Sequence, residues 1–149
     1  LHRLRGSEMI HFELVTLNGT KFGQEVYEVV LPTADGYIGV FKDHMPLVSL
    51  AIHGVITIRH KAGDPDSKLT HYATNGGVIN IHDNTVQVLV DEADHEEEIN
   101  EQEIKQAIER AHKLRAEAKD QVSLDHAQSL IDRQAVRLKV AEIRRRKRR

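Results

Sequence analysis

Asp91-Glu92-Ala93-Asp94-His95-Glu96-Glu97-Glu98 sets six carboxylates within eight residues, and this run decides how the chain divides. Like charges at that density repel one another and have no core to enter, so the segment is expected to run extended and solvated. Residues 94–99 are read as an acidic linker between two units. Apolar residues recur at every second position before it and on a helical period after it, so the two units are of different kinds.

Towards the N terminus, short β-prone runs are separated by turn residues. Ile10, Phe12 and Leu14 alternate with His11 and Glu13, and Val26, Glu28 and Val30 alternate with Tyr27, Val29 and Leu31. A period of two puts successive side chains on opposite faces of a strand. Asn18-Gly19, Asn75-Gly76-Gly77 and His82-Asp83-Asn84 tolerate the positive φ of tight turns, so each is a hairpin candidate. Val55-Thr57-Arg59, Leu69 to Ala73, Val78 to Ile81 and Thr85 to Asp91 complete a series of about nine strands, with residues 62–67 as an exposed loop. The rhythm over residues 9–93 is that of an all-β sandwich or barrel.

Towards the C terminus, Asn100 is a good N-cap with Glu103 three residues on, and Ile104, Ala107, Ile108, Ala111, Leu114 and Ala118 share one face of a helix ending near Lys119. Ser123 is read as the cap of a second helix, with an apolar stripe of Leu124, Ala127, Leu130, Ile131, Ala135, Leu138 and Ala141. A short link folds the pair into an antiparallel hairpin over residues 100–149.

The net charge of -2 hides an asymmetry: 12 acids stand against 7 bases before Glu96, and 11 against 14 from there on. Part of that excess is Arg144-Arg145-Arg146-Lys147-Arg148-Arg149, at a helix C-terminus, where cations complement the helix dipole by about 0.3–1 kcal/mol. A solvated tail and a docking strip both fit this pattern. With aromatics at 4%, the chain offers no surface for stacking bases, so no nucleic-acid partner is expected. The absence of cysteine excludes disulfides and thiolate chemistry. No apolar run approaches the roughly 20 residues of a membrane-spanning helix, so any membrane contact is expected to be indirect. Ten histidines are scattered without His-x-His or His-Glu-x-x-His spacing, so no metal site is expected. Neither a phosphate-binding Gly-rich loop nor Gly-x-Ser-x-Gly occurs, and an enzyme reading has no residues to stand on. Met9 opens the first strand directly, so residues 1–8 are read as a non-native leader.

The most specific pattern is Leu31-Pro32-Thr33-Ala34-Asp35-Gly36-Tyr37-Ile38-Gly39-Val40-Phe41-Lys42-Asp43-His44-Met45-Pro46-Leu47: an acid and Gly, a second Gly, then His-x-Pro-Leu. This passage resembles the epsilon subunit of F-type (proton-translocating) ATP synthases. Phe12 to Thr16, Gly54 to Ile58, Asn75 to Ile79 and Val86 to Asp91 flank it as in that family, and Arg137 to Ile143 resembles the end of the family's second helix. The resemblance implies an α+β fold, an N-terminal antiparallel β-sandwich followed by a C-terminal antiparallel two-helix hairpin. It also implies a non-catalytic central-stalk subunit that couples gamma to the c-ring, with Asp35, Gly36 and Tyr37 facing the c-ring and His44, Met45 and Pro46 facing gamma. Relatives often carry an acid at Tyr37. The implied location is the cytoplasmic face of the bacterial membrane, or a plastid thylakoid.

In many members of that family the hairpin leaves the sandwich and brakes ATP hydrolysis. Each seam alanine here buries one methyl, about 0.8 kcal/mol, so the hairpin is expected to be held weakly. As one helix at about 1.5 Å per residue, residues 100–149 would reach roughly 75 Å. By the same analogy Arg137, Lys139, Arg144, Arg145, Arg146, Lys147, Arg148 and Arg149 would form an inhibitory basic arm, with the alpha and beta catalytic subunits as conditional partners. Some members hold regulatory ATP between the helices through Ile/Leu-Asp-x-x-Arg-Ala. Val122-Ser123-Leu124-Asp125-His126-Ala127 lacks the acid at Ser123 and the arginine at His126, so no cofactor is expected. Two other readings stand beside this one: a free-standing β-sandwich binding module with a helical tail, and a small hydrolase assembled from dispersed His and Asp residues.

Overall fold

Two strands of thirteen residues, β5 (Leu47–Arg59) and β6 (Thr70–His82), pair along nearly their whole length and lie at the centre of the strand order. The computed structural model describes residues 8–148. Around that pair lie β1 (Ile10–Thr16), β2 (Gly19–Val26), β3 (Glu28–Thr33), β4 (Gly36–Val40), β7 (Thr85–Val90) and β8 (Ala93–His95), then α1 (Glu101–Glu117) and α2 (Gln121–Lys147). Single 3-10 turns occupy Asp66–Lys68 and Glu96–Glu98.

The strand order is β2-β1-β7-β6-β5-β3-β4, with β8 beside β6. The first part of β5 and the last part of β6 lie with β7, β1 and β2, whereas their other parts lie with β3, β4 and β8, which makes the two layers of a sandwich. All pairings are antiparallel except β1 with β7, which is parallel. Asn75-Gly76-Gly77, expected as a hairpin, lies inside β6, and the two strands expected on either side of it are one strand. A glycine pair serves a kink as readily as a turn. Here Gly76 takes φ 112°, and a Cβ on Gly77 would collide with the Leu89 carbonyl oxygen of β7. By contrast, His82-Asp83-Asn84 does turn, with φ of 46° and 59° at Asp83 and Asn84, and joins β6 to β7. The alternation over Val26 to Leu31 is also divided, by a bend at Tyr27. About nine expected strands are therefore eight among the described residues.

Between the layers Ile10, Phe12, Leu14, Val29, Leu31, Ile56, Ile58, Ile79, Ile81, Val86 and Val88 are each at most 2% exposed. Each such side chain contributes about 1.5–3 kcal/mol of transfer free energy, which makes this the stabilising mass of the molecule. A second, smaller core joins Val55 and Ala73, on the outer face of one layer, to Ile99, Ile104, Val140 and Ala141.

Asn100 caps α1 as expected, its side chain accepting from the N–H groups of Gln102 and Glu103. The cap of α2 is Asp120, not Ser123. The Asp120 carboxylate accepts from the Ser123 N–H at 2.7 Å, and this hydrogen bond holds it below the usual carboxylate range. The apolar stripe of α2 also differs from expectation: Ala135 is exposed, while Val136 and Val140 pack inward. One stripe was read where α2 has two partners, α1 on one side and the sandwich on another. At the far end of the hairpin Leu114 and Leu124 remain 48% and 38% exposed.

The acidic run departs most from its expectation. Ala93–His95 pair with Tyr72 to Thr74 of β6, and Ala93, Glu96 and Ile99 are buried. Opposite charge from α2, more than 30 residues away in sequence, replaces the solvent that the run would otherwise require.

Candidate interaction surfaces

One layer of the sandwich carries the helices on its outer face. The outer face of the other layer is uncovered and carries an aliphatic patch bordered by the polar row Asn80, Gln87 and Glu13. Alternation along β5 turns Val48, Leu50 and Ile52 away from the core, and they are 72%, 64% and 43% exposed. The register sets Leu50 beside Val78 of β6, and Val78 beside Leu89 of β7. Met45, 74% exposed, lies just before β5. A contiguous aliphatic patch on a sheet face is the mark of a surface that another protein covers. These five sheet residues are missing from the partner-facing set read from the sequence, although a signal existed. Apart from Ser49, Leu47-Val48-Ser49-Leu50-Ala51-Ile52 is apolar at both phases of its alternation, as strands buried on both faces are.

The residues singled out in the sequence lie at two places along this strand. His44, Met45 and Pro46 immediately precede it. Their segment is pinned to the β6–β7 turn: Asp43, with φ of 64°, donates its N–H to Asn84 Oδ1 at 2.6 Å, and His44 Nδ1 lies 2.7 Å from the Met45 carbonyl oxygen. Ala34 and Asp35 form the exposed turn between β3 and β4, which Gly36 opens, and the Asp35 N–H donates to Thr33 Oγ1 at 3.2 Å. Thr33 pairs with Ala51, so this turn stands beside the middle of β5. Tyr37 is half-exposed, but its hydroxyl is anchored, accepting from the Val55 N–H at 3.0 Å. Gly54 makes that approach possible, since a Cβ there would lie 2.5 Å from Pro32 Cβ and 2.8 Å from the Tyr37 hydroxyl.

The cations of α2 face the acidic run. Arg133 pairs with Glu92, and Arg137 with Asp94 at 2.8 Å. Arg144 donates to the carbonyl oxygens of Glu96 at 2.7 Å and Ile99 at 2.8 Å. Lys147 donates to both Glu96 carboxylate oxygens at 2.9 Å and to the Leu69 carbonyl oxygen at 2.6 Å. Arg145 reaches Glu101 at 3.4 Å and Arg148 reaches Glu97 at 2.8 Å. Lys139 and Arg146 are exposed, and Arg149 lies outside the described residues. His71 packs against Glu96, its backbone N–H donating to the carboxylate at 3.3 Å. Burial pushes the His71 imidazole below its ordinary range, against the opposing pull of Glu96.

A cleft of about 260 Å³ opens between the acidic run, α1 and α2, with Glu98, Asn100, Glu103, Arg110, Gln134 and Arg137 in its lining. Its two carboxylates offset its two guanidinium groups. Ser123 and His126 lie exposed at the start of α2, within its first two turns.

A sandwich with an exposed aliphatic patch, a loop pinned at its edge and a helix pair clasped by charge has surfaces suited to docking against other chains. The comparisons specify the family. The family model described as the β-sandwich domain of the ATP synthase delta/epsilon chain matches residues 9–96. The chain is 40% identical over 105 residues to the ATP synthase epsilon chain of Campylobacter fetus, covering 70% of this chain and 78% of that one. It is 34% identical over 121 residues to that of Persephonella marina, covering 81% and 85%. The chain belongs to the ATP synthase epsilon family. Its fold is also that of a chain in the Euglena gracilis mitochondrial ATP synthase OSCP/F1/c-ring assembly, with a TM-score of 0.72 at 20% identity, over 85% of this chain and 76% of that one. The family expected from Leu31 to Leu47 is the family found.

Proposed function

We propose that this chain is a non-catalytic rotor subunit of an F-type ATP synthase, gripped by gamma on the patch of Val48, Leu50, Ile52, Val78 and Leu89. Met45 and the pinned His44-Met45-Pro46 segment extend that contact, and the Asp35-Gly36-Tyr37 turn meets the c-ring. The observation that carries the reading is the exposed aliphatic patch, whose five members are 41–72% exposed on one sheet face. The similar Euglena chain comes from an assembly of OSCP, F1 and c-ring, which supplies partners of the kind this surface needs. The chain then sits peripherally at the membrane, on the side of the catalytic head. Among the described residues no helix is long and apolar enough to cross it. Binding of the purified full chain to gamma, followed by calorimetric titration, tests this: absence of association at low and at high salt would remove the rotor reading.

In the same proposal α1 and α2 form an arm that restrains ATP hydrolysis, with Arg137, Lys139 and the cations from Arg144 onward as its gripping surface. A small second core and a bare distal end support an arm able to leave the sandwich. No nucleotide is needed to hold it, and the cleft between the helices offers phosphate no net positive charge. The chain has no native cysteine, so a disulfide engineered between β8 and α2 locks the arm cleanly. Hydrolysis by the assembled enzyme should then rise under oxidising conditions, and unchanged hydrolysis would remove the arm's role.

A further inference from the structure

One step of the acidic run matches one turn of α2. In extended chain, Glu92 and Asp94 stand two residues apart, about 6.6 Å. On α2, Arg133 and Arg137 are four residues apart, about 6 Å. One turn of helix therefore keeps step with one period of strand, and Arg133 meets Glu92 while Arg137 meets Asp94. Eleven residues make about three turns, which returns Arg144 to the face of Arg133. From there Arg144, Lys147 and Arg148 close over Glu96 and Glu97.

Glu96 stands apart from the rest, because it is 4% exposed. Lys147 from α2 and the His71 backbone N–H from β6 satisfy its carboxylate, and Arg144 satisfies its backbone carbonyl. Removing one partner of such a pair leaves a buried charge uncompensated, so the contact forms and breaks as a unit. The apolar contact of α2 in this second core is small: buried Val140 and Ala141, with partly buried Val136 and Leu138, meet Val55 and Ala73.

We propose that the acidic run is a cis-acting latch. Its carboxylates, centred on Glu96, occupy the cationic face of α2 and hold it on the sandwich, and those cations become available to any other acidic surface only when the latch opens. The regulatory consequence rests on the mobile-arm reading above, whereas the latch itself is a property of the isolated chain.

The test uses the full chain with spin labels at Asn18 and His126, both exposed, and residue-resolved amide exchange. Glu96→Gln should lengthen the label distance in a measurable fraction of molecules and speed exchange along α2 at least tenfold, leaving β5 to β7 unchanged. Lys147→Gln should do the same, and combining the two should add nothing beyond either alone. Replacing both partners by leucine should keep α2 docked, because a well-packed apolar pair substitutes for a buried ion pair. An unaltered distance and unaltered α2 exchange in Glu96→Gln would overturn the latch. So would parallel acceleration in the sheet, which would make Glu96 a support of the sandwich instead. None of these readouts involves ATP hydrolysis, so a latch that works in a chain that fails to brake the enzyme would sink only the arm's proposed role.

Discussion

Leu50→Ala isolates the docking face. Leu50 lies beside Val78 and is 64% exposed, so about two-thirds of its side chain is available for a partner to cover. The substitution removes three carbons at about 0.8 kcal/mol each. Scaled to the exposed portion, the loss is about 1.5 kcal/mol, slightly more than tenfold in Kd for gamma. Leu50→Asp also drives a charge into the contact and should weaken binding by a hundredfold or more. Because Leu50 points away from the core, both variants should keep the parent's unfolding free energy in urea, within about 0.5 kcal/mol. Calorimetric titration of gamma with the three proteins reads the affinities directly. A Leu50→Asp chain that binds gamma within threefold of the parent would refute the assignment of this face.

Gly54→Ala places a methyl 2.5 Å from Pro32 Cβ and 2.8 Å from the Tyr37 hydroxyl. Overpacking and loss of the Tyr37–Val55 hydrogen bond together should cost about 2–4 kcal/mol, and a thermal melt unchanged from the parent contradicts that close approach. Asn100→Ala should cost about 1 kcal/mol, felt as faster amide exchange in the first turns of α1 and not in the sheet. His71 should make arm release sensitive to pH. Facing Glu96, Lys147 and Asp66, it has a pKa lowered from 6.5 by burial, so the closed state favours the neutral ring. That contribution is full above about pH 6.5 and is lost as pH falls through the lowered value, because the opened state binds the proton more readily. Label distances should therefore show more open arm at pH 5.5 than at 7.5, and His71→Asn should flatten the trend.

Much of the fold was legible because it is encoded locally. The alternation of Ile10, Phe12 and Leu14, the Asn100 cap and the Asp83-Asn84 turn each depend on residues a few positions apart. What escaped depends on distant partners. Gly76 and Gly77 kink a strand instead of ending it because β5 runs the full length alongside. Ser123 lost the cap to Asp120 because both can cap, and the helix start chose between them. The Asp35 and His44 loops stood out as a pattern, whereas the aliphatic face on β5, β6 and β7 is assembled from three strands and emerges only in their register.

The acidic run shows why the two faces of the sandwich should behave differently. Read alone, its charges demand water; beside α2, Glu92 and Asp94 meet cations one helical turn apart, and Ala93–His95 pairs with β6 as a short strand. Attraction between the more exposed pairs, Arg133–Glu92 and Arg148–Glu97, weakens as salt shortens the Debye length from about 10 Å at 0.1 M to about 3 Å at 1 M, whereas the buried Glu96–Lys147 pair is screened less. Apolar burial has no such dependence on charge screening. The proposed rotor subunit, held on a rotating partner while its helices move, would need both kinds of contact, kept separate. This chain carries the aliphatic patch on one layer and the ion pairs on the other. High salt should accordingly loosen α2 from the sandwich well before it loosens the sandwich from gamma, and the reverse order would show that the two faces have been assigned the wrong way round.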